Sequence, residues 1–331
     1  MAAAGVVLFE LRIAGLYVRL RFAGRALVPL LTPALAHLQV RHSGNRPALT
    51  IDLWDGASTA MLPPRFPWGD GDIGPRGEIL GYSEAGLRAV FHGGVAASAE
   101  DFTAATIFDQ STSTARFFVL SPDRVPWYER AAPLRAALHY GLSSPCRVLV
   151  HAGAVGAANR GVLLAGPGGS GKSTTAVEAL LAGFDYLGDD YVVADLEGAR
   201  PVAHSLYATA KLGPAWRTFF PTLPAQCLGP EGAKQVIDVF KLQPDALRES
   251  IPLVAVVLPR LCPGGATCLR PASPGEALLG LAPSTLFQAP RRDGAVLSSL
   301  AELVRRVPAY VLELGGGPNE GVRAMARLME P

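Results

Sequence analysis

The run Gly166-Pro167-Gly168-Gly169-Ser170-Gly171-Lys172-Ser173 fits the spacing G-x-x-x-x-G-K-[ST] at every required position. Residue types in this order suit one chemistry, the cradling of phosphate oxygens. Glycines at 166, 168, 169 and 171 let the backbone curl so that successive N–H groups turn inward onto an anion. A helix starting directly after the loop, from Thr174 onward, adds the partial positive charge of its N-terminus. Lys172 would then reach the β- and γ-phosphates, and the Ser173 hydroxyl would ligate Mg²⁺. The expected ligand is ATP with Mg²⁺.

A cradle holds phosphates but does not move one. Transfer needs a second metal-side group and a base for the acceptor. Asp189 and Asp190 follow Ser173 by sixteen and seventeen residues, between Gly188 and the apolar run Tyr191-Val192-Val193. Neighbouring carboxylates on an extended chain point in opposite directions, so one can face the metal and the other the acceptor. His151 ends an expected strand just before the loop unit, where a histidine can orient or tune a catalytic aspartate. A satisfied core histidine is the competing reading. Lys211 is a candidate for neutralising charge that develops on a transferred phosphoryl group, and Lys234 is a weaker one. Arg260 follows the apolar run Leu253 to Pro259. Strand C-terminal ends border the ligand crevice of an α/β sheet, which makes Arg260 a candidate phosphate or acceptor contact.

The elements that must position these residues are legible as hydrophobic patterns. Arg147 to His151, Gly161 to Ala165, Leu253 to Pro259 and Ala309 to Leu314 read as strands. Thr174 to Leu181, Pro274 to Leu281 and Leu297 to Arg306 read as helices. Alternating strands and helices imply an α/β layer arrangement over residues 124–331. Residues 1–123 read as β-rich. Strands are expected at Val6 to Ile13, Leu16 to Phe22, Ala48 to Trp54, Glu78 to Tyr82, Leu87 to His92 and Arg116 to Leu120, with a broken helix at Leu27 to Leu38 and a Pro/Gly-rich loop at Met61 to Arg76. A helix over Val125 to Leu142 joins the two parts, with a boundary near 123.

The whole chain sets wider bounds. Its 331 residues exceed one usual compact core, so two domains are expected. Hydrophobic residues at 49% and charged residues at 18% supply a core and exclude global disorder. A net charge of +2 with no basic cluster argues against nucleic acid. The pairs Arg291-Arg292 and Arg305-Arg306 read as solvated surface. No run approaches the ~18 apolar residues that span a bilayer, and the start lacks a signal-peptide pattern, so the expectation is a cytoplasmic chain without a membrane partner. Cys146, Cys227, Cys262 and Cys268 lack metal-site spacing; Cys262 and Cys268 are placed to face each other across a hairpin as reduced thiols. The oligomeric state is open, and a homo-oligomer is allowed.

His151, the loop Gly166 to Ser173 and Gly188-Asp189-Asp190, in that order and separation, resemble the bacterial HPr kinase/phosphorylase family and its HPr-kinase-like relatives. The likeness is best over 148–196. It implies an α/β (α+β overall) P-loop kinase core of the HPr kinase and phosphoenolpyruvate carboxykinase type. Residues 1–123, which do not resemble the family's N-terminal region, are expected as a separate domain whose β-rich character would suit acceptor recognition by strand addition. The likeness further implies phosphate transfer from ATP to a serine hydroxyl on a protein or peptide. Asp189 would be the general base, His151 its partner, and Asp190 with Ser173 would hold Mg²⁺. The chain departs from the family at Pro167 and Thr174, where acidic residues are usual, and in the segment around Lys211. Some relatives of this kind modify peptides such as lasso precursors. A peptide-tailoring kinase, a small-molecule kinase and a non-catalytic nucleotide sensor are therefore the alternative readings.

Overall fold

The computed structural model describes residues 5–41, 44–69, 72–75, 77–79, 86–92, 102–224, 226–228, 234–289, 294–317 and 319–330. The chain divides into two compact units, Met1–Leu142 and Ser143–Pro331.

The first unit is built on a six-stranded sheet. Its spatial order is Val6–Ile13, Leu16–Ala23, Leu49–Asp55, Thr114–Val119, Ala104–Asp109 and Leu87–His92. Leu49–Asp55 runs parallel to both of its neighbours, and the other pairs are antiparallel. Arg21 fixes the register of the second and third strands through a two-pronged contact with Asp52 at 2.5 and 2.7 Å. The strand Ala104–Asp109 carries no clean alternation because all but its last residue are buried, so it escapes a period-two reading. Of the strand expected at Glu78 to Tyr82, Glu78 and Ile79 make single bridges and residues 80–82 lie outside the described residues.

The helix expected over Val125 to Leu142 is two helices, Trp127–Ala131 and Arg135–Leu142. Pro133 lacks the N–H a continuous helix needs, and Leu134 takes a left-handed φ of 58°. Both helices belong to the first unit, so the division falls after Leu142 rather than near 123. Packing explains why. Tyr140 stacks on Phe108 at 5.7 Å, and a Cβ on Gly141 would lie 2.7 Å from the Leu49 side chain.

The second unit holds a nine-stranded sheet and a three-stranded one. The long strand Ser250–Leu261 is the spine of the larger sheet. It pairs in parallel with Arg160–Leu164 on one side and with Ala309–Leu314 on the other, while its first residues pair antiparallel with Val202–Ser205. Both faces of this sheet are covered. Val162, Leu164, Ala255 and Val257 pack under the helices Lys172–Leu181 and Glu320–Met329, which contribute Ala176, Val177, Val322 and Met325. The alternate residues Leu163, Val256 and Leu258 pack under Pro274–Gln288 and Gly294–Arg306, which contribute Leu281 and Leu300. Burial on both faces is what makes these strands read as continuous apolar runs. The helix Pro274–Gln288 starts at a reciprocal cap in which Ser273 and Glu276 satisfy each other's backbone N–H. The result is a mixed α/β unit. Among the described residues, no helix is long and apolar enough to cross a membrane.

Candidate active site

The glycine-rich loop leaves the end of Arg160–Leu164, where the Ala165 N–H still donates to the Val257 carbonyl at 2.9 Å. It turns back at Gly171, whose φ of 103° lies in the region that favours glycine. The helix Lys172–Leu181 begins there without a side-chain cap. Its first N–H groups therefore have no partner inside the helix. Lys172 donates from Nζ to the carbonyls of Gly166 at 2.6 Å and Pro167 at 3.0 Å. Burial, and next the nearby Lys234, lower the Lys172 ammonium from its ordinary pKa, while Asp190 and Asp189 oppose the shift.

A cleft of about 470 Å³ opens in front of the loop, within the size range of small-molecule sites. Gly168, Gly169, Gly171, Lys172, Ser173 and Thr174 line it, as do His151, Asp189, Asp190 and Lys211. Thus residues from four separate segments meet. Gly166 and Ser170 stand behind the lining. Gly166 supplies a carbonyl to Lys172, and the buried Ser170 hydroxyl has no hydrogen-bond partner among the described residues.

Strand register assembles the acidic end. Asp185–Gly188 runs antiparallel to Gly153–Ala157 and breaks register between Tyr186 and Gly188, just before the two acids. A Cβ on Gly153 would lie 3.1 Å from the Asp189 Cα, so the close approach of these segments depends on that glycine. After the acids the chain continues as Val192–Asp195, antiparallel to Arg147–Val150, with Val192 opposite Val150. That register brings His151 alongside the residues immediately before Val192. His151 Nε2 accordingly lies 3.1 Å from Asp190 Oδ1, a hydrogen bond that needs the ring hydrogen on Nε2. The expected His151–Asp189 pair is not formed. Asp189 belongs to the other side: it accepts at 2.8 Å from the Lys211 backbone N–H, and the nearby Ser173 hydroxyl helps to stabilise its charged form.

Lys211 clamps both acids, since its Nζ also donates to Asp190 Oδ2 at 2.7 Å. It sits on Thr209–Leu212, a strand of the smaller sheet paired with Gln235–Asp238. The fully buried Tyr186 anchors that strand by donating its hydroxyl to the Thr209 carbonyl at 3.0 Å. Tyr186 was missed in the sequence, where it reads as one more apolar strand residue. Thr285 supports the histidine from the helix Pro274–Gln288, accepting the His151 N–H at 3.1 Å.

The two acids differ electrostatically. Burial, and then the charge of Asp190, push Asp189 up to about 6. Burial also works to raise Asp190, but Lys211 and then His151 overcome it and hold that carboxyl well below the ordinary range. Asp189 is 2% exposed, whereas the side chain of Asp190 is 16% exposed and the more open to the cleft.

Other expectations need correction. Arg260 is exposed and does not line the cleft; its neighbour Leu261 does, as strand alternation requires. Cys262 and Cys268 are free thiols but do not lie on paired strands of a hairpin: Cys262 follows Ser250–Leu261, Cys268 opens Cys268–Ala272, and Ala309–Leu314 pairs with both of those strands. Glu178 and Lys234 also line the cleft. Glu178 was hidden by its place on an ordinary amphipathic helix, and burial raises its carboxyl.

The residues present fit a nucleotide with Mg²⁺. An uncapped helix start, an ammonium that donates to loop carbonyls and a roomy cleft suit a polyphosphate. Among the described residues no cluster of three or more His, Cys, Asp or Glu side chains could hold a metal ion alone.

No protein-family model matches the chain, and no curated protein matches it. Among solved structures, the Hpr(Ser) kinase/phosphatase from Coxiella burnetii is similar with a TM-score of 0.32 and 12% sequence identity, over 55% of this chain and 87% of that one.

Proposed function

We propose that this chain binds ATP with Mg²⁺ and transfers the γ-phosphoryl group to a hydroxyl, of serine type, on a protein or peptide. The observation that carries the reading is the split of the acid pair across one cleft. Asp189 stands beside Ser173 at the head of the loop helix, and Asp190 is hydrogen-bonded to His151 and Lys211 on the more open side. In this reading Ser173 and Asp189 hold Mg²⁺, and Asp190 takes the acceptor proton. That reverses the roles the family resemblance implies for the two acids.

Each side chain then has a task. Lys172 exchanges its carbonyl contacts for phosphate oxygens, and the loop N–H groups hold the triphosphate in place. Bound Mg²⁺ would neutralise charge on the phosphates. Phosphate oxygens entering the cleft compete with Asp190 for the Lys211 ammonium. Drawing that ammonium away removes the main brake on the basicity of Asp190. His151 keeps the freed carboxylate aimed. The acceptor oxygen bonds to the γ-phosphorus, its proton passes to Asp190, and the bond to the bridging oxygen breaks to leave ADP. The β-rich first unit is the proposed site of acceptor recognition.

The test uses γ-labelled ATP with pooled serine-containing peptides and with small hydroxyl compounds as acceptors. Asp190→Asn should lose transfer by roughly 10²–10⁴-fold, the usual worth of a positioned base. ATP affinity should stay within about threefold of the parent's. Label appearing only in small compounds would move the reading to a small-molecule kinase. No label in any acceptor, with intact ATP binding, would leave a nucleotide sensor.

A further inference from the structure

A second pocket lies in the same unit, away from the loop. It measures about 220 Å³ and is lined by Arg160, Arg200 and Arg306, together with Pro201, Leu253 and Pro308 among others. Its position in the fold is defined by strand starts. Arg160 opens the strand Arg160–Leu164, Leu253 begins the part of the long strand that pairs with it, and Pro308 immediately precedes Ala309–Leu314. The glycine-rich loop leaves the far end of the first of these strands, so the two pockets sit at opposite ends of it.

Three guanidinium groups around one small pocket repel one another unless something negative balances them. Nothing in the pocket does: no aspartate or glutamate lines it, and none of the three arginines forms a salt bridge among the described residues. Arg306 is held in place through its two terminal nitrogens, which donate to the carbonyls of Leu196 and Gly198. It is therefore a positioned group and not the freely solvated surface residue that its Arg-Arg dipeptide suggests. Arg160 makes one long contact, from Nη2 to the Leu328 carbonyl at 3.5 Å, and its Nε is buried without a hydrogen-bond partner among the described residues. A buried N–H with no acceptor costs stability until one is supplied. Arg200 is exposed and brings a third set of donors.

Each guanidinium offers five N–H donors in a planar fork suited to phosphate and carboxylate oxygens. Most of those donors are free here. The prolines at 201 and 308 supply no N–H, so recognition falls to the arginines. We propose that the Arg160–Arg200–Arg306 pocket is a binding site for a small polyvalent phosphate-type anion, separate from the nucleotide cleft. With less than half the volume of that cleft, it suits an anion of phosphate to diphosphate size.

The test must silence the loop first, because the loop also takes phosphates. In the full-length Lys172→Ala/Ser173→Ala variant, calorimetric titration with inorganic diphosphate should still show one saturable site. Titration with glycerol phosphate in parallel distinguishes a free inorganic anion from an organic monoester by which binds tighter; saturable binding of either upholds the proposal. Adding Arg200→Glu, an exposed change that leaves the Arg306 contacts intact, should weaken the tighter anion at least tenfold, and Arg160→Gln should act in the same direction. Circular dichroism of each variant guards against loss of fold. Absence of saturable binding by both anions in the folded loop variant overturns the proposal, as does binding that neither arginine substitution weakens.

Discussion

The two ends of the cleft are built in opposite ways. The loop end comes from one unbroken stretch, Gly166 to Thr174, whose backbone does most of the work. The acidic end is gathered from His151, Asp189-Asp190 and Lys211, which meet only because strands pair in a particular register. A contiguous site survives translation from sequence to structure, because local geometry alone defines it. An assembled site depends on long-range pairing, and an error of one position exchanges the partners of two adjacent acids.

The same contrast has energetic consequences. Lys211→Ala strikes the assembled end, removing the ammonium that balances Asp190 while sparing the backbone N–H to Asp189. Breaking a largely buried pair this way should destabilise the second unit by about 3 kcal/mol. By contrast, Ser173→Ala at the contiguous end removes a hydroxyl that only neighbours Asp189 and should cost no more than about 1 kcal/mol. Denaturant titration of the two variants at pH 7.5 compares them. Equal losses would mean that the acidic end is no more interdependent than the loop.

Next in size is a pH effect specific to Asp189. Its carboxyl ionises near pH 6 when folded and near 4 when unfolded. A raised folded value means that the fold disfavours the charged form. That cost is absent below the unfolded value, grows between about 4 and 6, and is complete above 6. Asp189→Asn removes it. The stability of this variant relative to the parent should therefore rise by about 2 kcal/mol from pH 4.5 to pH 8 in metal-free buffer. A difference that stays flat across that range would show that burial and Asp190 do not perturb Asp189 as described. Asp190 has the opposite sign, its stabilising contribution being present above the ordinary carboxylate range and lost as the pH falls below it.

The smallest effect is expected at Arg260. Lying exposed and outside the cleft lining, it should change ATP affinity and transfer by less than about twofold when replaced by alanine. A tenfold loss would restore the phosphate contact that its place at a strand end suggests.

Much of this arrangement was legible in the sequence. The loop, its strand and its helix were plain because spacing and hydrophobic period agree there. The acidic pair and His151 were identified as residues, and Lys211 as a cation of the site. Their partners were not legible. Whether His151 meets Asp189 or Asp190 is decided by Val150 standing opposite Val192 and by the register break before Gly188, and neither leaves a mark in composition. Arg260 was misplaced for a related reason, since only the phase of alternation along Ser250–Leu261 tells which of Arg260 and Leu261 faces the cleft. The helix Glu320–Met329 went unread behind its Gly315-Gly316-Gly317 approach. The division between units fell after Leu142 because Gly141 and Tyr140 pack on the first sheet, a contact between residues about ninety and about thirty positions apart.

The measurement that bears most directly on the split acid pair is the Mg²⁺ dependence of ATP affinity, which needs no acceptor. Calorimetry with and without Mg²⁺ should show that Asp189→Asn loses most of the metal's enhancement, while Asp190→Asn keeps it within about threefold of the parent's. The reverse pattern, with Asp190→Asn losing the enhancement and Asp189→Asn retaining it, would contradict the assignment of Asp189 to the metal and Asp190 to the acceptor.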